Sequence, residues 1–194
     1  DGTVSNISNF LDAFANPHVP KSGLVLELGC GAGDISIALA RLGYSLTGID
    51  ISETAISWAK DKAETSGLQI DFKTCNVLDI SLFADNYFDI VLDSHCFHCI
   101  IGDDRQKFLK EARRVLKKDG LFISGTMCGD FDAVNDAENR LIIVQGIATR
   151  YIGKPEAIIG EIMTAGFSVY DSKILEKKNN NDCDELFVWA VKFE

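Results

Sequence analysis

A doubly wound α/β domain, with a mostly parallel sheet of seven strands and helices on both faces, is what this sequence predicts. Three observations carry that expectation. Short apolar runs alternate with amphipathic stretches along most of the chain, and the first run empties directly into a glycine cluster. The last two runs are joined by a polar stretch instead of a helix, which reads as a hairpin.

The elements follow in order. Leu-Val-Leu-Glu-Leu at 24–28 is continuous and apolar, as a buried parallel strand should be, and it stops at glycine. Beyond Gly33 the positions Ile35, Ala38, Leu39 and Leu42 recur at helical spacing until Gly43 ends them. Residues 44–49 form a second strand that closes on Asp50. Ser52 then caps a helix with Ala55, Ile56, Ala59 and Ala63 on one face and Gly67 as its stop. Strands are expected at 70–75 and 88–92. Phe108, Leu109, Ala112, Val115 and Leu116 mark a helix over 104–118, closed by Gly120. A fifth strand is expected at 121–124, and Pro155 opens a helix whose Ile158, Ile159, Ile162 and Met163 stripe ends at Gly166. The hairpin pairs 167–175 with 186–193 across 176–185, which includes a polar turn at 179–181.

Two stretches stand outside this rhythm. Residues 1–20 carry an amphipathic helix (Ile7, Phe10, Leu11, Phe14) read as a cap over the site, and 125–154 read as an insertion on the substrate side. The whole chain, 1–194, is expected to be a single domain. At 194 residues with 46% hydrophobic content it can bury one large core unaided. Its formal charge of −10 disfavours nucleic acid and anionic membrane as partners. Six dispersed cysteines, no long apolar stretch and no secretory leader pattern point to a reducing, cytoplasmic setting.

The loop Glu27-Leu28-Gly29-Cys30-Gly31-Ala32-Gly33 lies between a strand and a helix, where residues lacking Cβ let the backbone turn sharply and a ligand approach its N–H groups. A nucleotide-like ligand is implied. Asp50 ends the next strand, placed to accept hydrogen bonds from both hydroxyls of a ribose. The dinucleotide fingerprint would need glycine where Asp34 stands, and an anion there opposes a pyrophosphate. That disfavours a nicotinamide-dependent oxidoreductase.

The pattern E-x-G-x-G-x-G closely resembles the first motif of the class I S-adenosylmethionine-dependent methyltransferases, and the resemblance extends from residue 24 to the end of the chain. It implies six parallel strands completed by an antiparallel seventh. It also implies S-adenosylmethionine as cofactor, with S-adenosylhomocysteine as product. Glu27, Gly29, Cys30 and Gly31 become the cofactor loop, Asp50 the ribose ligand and Ile51 the residue on the adenine. Asn76, followed by Val77, stands where the family commonly has Asp, and its side-chain oxygen can still accept the adenine amino group. Asp93 closes the fourth-strand pattern Asn86-Tyr87-Phe88-Asp89-Ile90-Val91-Leu92-Asp93. In-line methyl transfer to a small-molecule acceptor is the implied activity; a non-catalytic S-adenosylmethionine-binding sensor or partner subunit is the alternative. The segment Asp93-Ser94-His95-Cys96-Phe97-His98 lacks the Asn/Asp-Pro-Pro-Tyr motif of amino-methylating nucleic-acid enzymes. His95 and His98 are the candidate general bases. They also open the option of a metal or metalloid site with Cys96, Cys99 and Cys128, although no second pair at standard zinc spacing exists and none is expected. Arg140, Arg150 and Lys154 could grip an acidic acceptor, with solvation the expected role of at least two.

Overall fold

A computed structural model describes residues 2–129, 134–136, 138–177 and 183–193, with side chains from residue 7 onward; the turn at 179–181 lies outside the described residues. The elements are α1 (Gly2–Phe14), β1 (Leu24–Leu28), α2 (Asp34–Arg41), β2 (Ser45–Asp50), α3 (Glu53–Thr65), β3 (Asp71–Thr74) and β4 (Phe88–Ser94). They continue with α4 (Asp104–Val115), β5 (Leu116–Cys128), β6 (Leu141–Val144), β7 (Ile147–Tyr151), α5 (Pro155–Thr164), β8 (Phe167–Leu175) and β9 (Asp184–Lys192).

Seven strands form one sheet in the order β3-β2-β1-β4-β5-β9-β8. The pairings of β1 with β2 and β4, of β2 with β3 and of β4 with β5 are parallel. β9 runs antiparallel to both its neighbours, so six strands share a direction and one opposes them. The predicted class and its hairpin are therefore present.

Alternation along the strands sorts the core. Val25, Ile90, Leu92, Leu121, Ile123, Phe187 and Trp189 face α1 and α2, meeting Phe10, Phe14 and Leu39. Leu26, Leu28, Val91, Phe122, Leu186 and Val188 face the other way, onto Phe108, Leu109 and Val115 of α4 and Ile158 and Ile162 of α5. Each such side chain removed from water contributes about 1.5–3 kcal/mol, which makes this two-sided burial the main support of the sheet. No helix among the described residues is long and apolar enough to cross a membrane.

Several boundaries differ from expectation, most of all around β5. α4 stops at Val115 instead of 118, because Leu116 pairs opposite Phe88 and enters β5. A register shift between Phe88 and Ile90, with Asp119 at φ 59, absorbs the extra residues. At its other end β5 runs past 124, and Gly125–Cys128 pair with β9, so the excursion from the sheet begins at Gly129. Within that excursion β6 and β7 form their own hairpin around Gln145 (φ 51) and Gly146 (φ 79).

α1 is more than a cover. Phe10 is fully buried, Trp189 donates its indole N–H to the Ala13 carbonyl at 3.1 Å, and a Cβ on Gly125 would stand 2.5 Å from the Phe10 ring. Phe10→Ala should cost about 3–5 kcal/mol, read as a lowered denaturant midpoint. Removing the residues before Leu24 should expose Val25, Leu92 and Trp189 and abolish cooperative melting. A truncated chain that melts at the intact protein's midpoint would contradict this.

Candidate active site

The C-terminal ends of β1, β2, β3 and β4 meet where β1 lies between strands that lead in opposite directions along the sheet, the place such sheets bind ligands. Gly29, Gly31 and Gly33 all lie at positive φ (70, 52 and 78), which L side chains rarely adopt. Two of them also answer to packing. A Cβ on Gly29 would lie 2.6 Å from Cβ of Cys96, and one on Gly33 would lie 2.7 Å from the Phe72 ring. Gly31 faces open space, with no atom within 4 Å of where its Cβ would stand, so a ligand can reach its backbone.

Asp50 joins two loops. One carboxylate oxygen accepts the Gly31 N–H at 2.9 Å and the other the Ser52 N–H at 2.9 Å, and both keep lone pairs for a ligand. Ser52 caps α3 as expected, accepting the Ala55 N–H at 3.2 Å. Ile51 is 72% exposed at the rim. The Cys75 N–H bonds to the Asp50 carbonyl at 2.9 Å, which sets Asn76 beside this edge. The Asn76 side-chain oxygen accepts the Leu78 N–H at 3.0 Å, leaving it one further lone pair, and the Val77 side chain points into the core.

Glu27 sits beneath the loop with 1% of its surface exposed. It accepts hydrogen bonds from Ser36 of α2 and from Ser94 of β4, the latter at 2.6 Å. Burial pushes its carboxyl up to about 7, against the opposing effect of both hydroxyls. A cavity of about 250 Å³ opens above it, lined among others by Gly29, Gly31, Asp34, Ser94 and His95. The Cys30 thiol beside it is buried and raised, first by burial and then by Glu27 and Asp50.

After β4 the two histidines lie edge to face with ring centroids 5.9 Å apart, yet they meet different surroundings. Asp93 is fully buried, and burial raises its carboxyl; one oxygen accepts the Cys96 and Phe97 N–H groups at 2.9 Å, the other the Ser124 hydroxyl at 2.6 Å. It therefore anchors the turn over Phe97–Cys99 from below. His95 stands at φ 63 on the cavity wall, its Nε2 2.7 Å from Oε1 of Glu185. His98 is 4% exposed, its Nδ1 has no hydrogen-bond partner among the described residues, and its pKa is pushed down to about 3 by burial first and then by His95, Arg150 and Arg105. It is a neutral imidazole at physiological pH. Arg105 holds the same turn by donating to the Phe97 and Ile100 carbonyls and to Glu161.

Of the other candidates, Cys128 lies in the core and Cys99 is exposed, and no three His, Cys, Asp or Glu side chains among the described residues are grouped to hold a metal. Arg140 is committed to the Ile152 and Gly129 carbonyls. Arg150 and Lys154 are exposed. Glu185, read from the sequence as the end of a polar linker, instead starts the buried run of β9; an acid abutting the apolar Leu186–Ala190 stretch is the only local sign of it.

The family described as "Methyltransferase domain" matches residues 26–124. The chain belongs to this family, the class I S-adenosylmethionine-dependent methyltransferases. It is similar to the ubiquinone biosynthesis O-methyltransferase of Ruegeria sp., with 32% identity over 128 residues, covering 66% of this chain and 51% of that protein. A putative methyltransferase of Bacillus subtilis, YqeM, is 38% identical over 108 residues, 54% of this chain and 42% of that one. The chain thus spans about half the length of the curated relatives it matches. Among solved structures, the PH0226 protein of Pyrococcus horikoshii superposes with a TM-score of 0.80 at 23% identity, covering 98% of this chain and 90% of that one. A Burkholderia thailandensis 1,6-didemethyltoxoflavin-N1-methyltransferase, solved with its substrate and S-adenosylhomocysteine, gives 0.75 at 21%, covering 100% and 86%. Likeness at that identity speaks for the fold.

A ligand seated above Glu27 is expected to link its binding to the proton of that carboxyl. A cation beside the buried carboxyl favours its ionised form, so binding of S-adenosylhomocysteine, which carries an ammonium, should release protons at about pH 6.5, and the release should shrink as the pH rises above about 7. Calorimetry in buffers of different ionisation enthalpy measures this. Release of equal size in Glu27→Gln would contradict it.

Proposed function

We propose that this chain transfers the methyl group of S-adenosylmethionine to a small-molecule acceptor by in-line displacement. The observation that carries the proposal is the acidic, glycine-turned cavity with the Asp50 carboxylate at its rim and Glu27 beneath it. The residues fit the ligand: an exposed backbone at Gly31, free lone pairs on Asp50 for a ribose, and negative charge where the ligand is positive. The sulfonium supplies an already activated methyl carbon, so the protein's work is to orient the acceptor, exclude water and take up a proton when the acceptor carries one.

Asp50, Ile51, Asn76 and the Val77 backbone are assigned to the adenosine, and Glu27, Gly29, Cys30 and Gly31 to the methionine end. Asp93 serves indirectly, by fixing the turn that carries His95. Of the two histidines, His95 is assigned as the base, because His98 is buried and resists protonation. The cap helix and the 129–154 excursion are assigned to the acceptor side. A small-molecule acceptor accords with the names of the Ruegeria and Burkholderia proteins.

Asp50→Ala should weaken S-adenosylhomocysteine binding by about 1.5–3 kcal/mol, roughly tenfold or more, while NAD and ATP fail to bind. Unchanged affinity in calorimetry would remove Asp50 from the site. His95→Gln should lower turnover by about 10² or more with S-adenosylhomocysteine affinity retained. Cofactor binding with no product across a broad acceptor panel would favour a non-catalytic S-adenosylmethionine-binding subunit instead.

A further inference from the structure

We propose that Glu185 of β9 and Asn9 of α1 are positioning residues that build His95 into a base for an acceptor hydroxyl, so that the acceptor of this site is one whose nucleophilic oxygen still carries its proton. The inference rests on the catalytic reading above and narrows it to a substrate class.

Glu185 is 2% exposed at the head of a strand whose next five residues are buried and apolar. Its Oε1 lies 2.7 Å from Nε2 of His95, and its Oε2 accepts the Asn9 amide at 2.7 Å, with the Lys177 ammonium 4.0 Å away. An ionised carboxylate only accepts hydrogen bonds, so Nε2 carries the ring proton and Nδ1 is left with the lone pair. Nδ1 makes no hydrogen bond with any described residue and is not among the buried unpartnered atoms. The backbone under this ring is held where non-glycine residues rarely sit, at φ 63, with the His95 N–H bonded to the Gly125 carbonyl at 3.0 Å. Phe10 props the ring edge-on at 5.4 Å between centroids.

Burying an acid in β9 costs free energy that an apolar residue would not, and the sheet pairing of Glu185 with Met127 uses backbone groups alone. What the carboxylate does obtain is one imidazole, in one tautomer, on the wall of the methyl-donor cavity. The reaction this serves is balanced as follows. An acceptor oxygen lone pair forms the new O–C bond, the C–S bond breaks with its electron pair kept by sulfur, and the sulfonium becomes a neutral thioether. The acceptor's proton passes to Nδ1, and the Glu185 carboxylate faces the resulting imidazolium until the proton leaves to water. A thiolate, already ionised, needs none of these groups. Because Asn9 belongs to α1, the cap must be seated for the base to be complete.

The test uses the full chain labelled with ¹⁵N-histidine, which has only three histidines to resolve, beside Glu185→Gln and Asn9→Ala. Calorimetry with S-adenosylhomocysteine and methyl transfer to a panel of phenols, alcohols and thiols complete it. We expect a downfield, slowly exchanging proton on His95 Nε2 that loses its protection in both variants. Turnover of hydroxyl acceptors should fall about 10- to 100-fold in Glu185→Gln, thiol turnover should fall less, and S-adenosylhomocysteine affinity should stay within about twofold. An unprotected Nε2 proton in the parent protein, hydroxyl turnover unchanged in Glu185→Gln, or a parent preference for thiols would overturn the inference. No transfer to any acceptor by a chain that binds S-adenosylhomocysteine would overturn the catalytic reading itself and this inference with it.

Discussion

A carboxylate buried under a glycine turn is the interaction on which the rest of this molecule is arranged. Glu27 belongs to the central strand, yet its hydrogen-bond partners come from the helix after that strand, through Ser36, and from the end of the neighbouring strand, through Ser94. Two hydroxyls are too little to offset full desolvation of a charge, and the balance leaves the carboxyl near 7 instead of the usual 4.5. The floor of the cavity is therefore an acid that gains from a cation above it. That ties the close packing under the glycine loop to the chemistry of the ligand it is proposed to hold.

The glycines follow from that constraint. For a backbone to pass over Glu27 and turn into α2, Gly29 and Gly33 must admit Cys96 and Phe72 at distances no Cβ tolerates, which leaves Gly31 as the one of the three whose Cβ position is open. Asp50 then pins Gly31 from the side while holding Ser52, so one carboxylate ties together the loops after β1 and β2. On the far wall the same economy recurs, with Asp93 gathering the backbone of the turn that displays His95. Buried acids shape both walls, and Asp50, Asn76 and His95 keep polar atoms with spare hydrogen-bonding capacity, to which the proposed function assigns binding and chemistry.

Much of this is legible in the residues themselves because it is local. The E-x-G-x-G-x-G loop, Ser52 as a cap, and the hairpin of 167–175 with the last strand are each decided by neighbours in sequence. The end of α4 is not, since Leu116 satisfies the helical stripe as well as it fills the sheet opposite Phe88, and only the tertiary pairing chooses. His95 and His98 look equivalent three residues apart, yet one lies against Glu185 and the other is buried beside Arg150 and Arg105, where burial and positive charge both disfavour its protonation. The contact of Glu185 with His95 is invisible until β9 is laid against β5, because the two lie far apart in the chain. The same holds for α1, whose amphipathic stripe announces a covering helix without revealing that its Asn9 reaches the acid behind His95.

The central claim, that the cavity lined by Glu27, Gly31 and His95, with Asp50 bonded to Gly31, holds the methyl donor, is tested most directly by a crystal structure of the full chain with S-adenosylhomocysteine. The account predicts both ribose hydroxyls on Asp50, with its bonds to the Gly31 and Ser52 N–H groups kept, and the sulfur above Gly29–Gly31 with His95 facing it. Ligand seated instead in the groove between α1 and β8, lined by Asn9, Asp12, Asp171 and Lys173, or Asp50 turned away from the ribose, would contradict it.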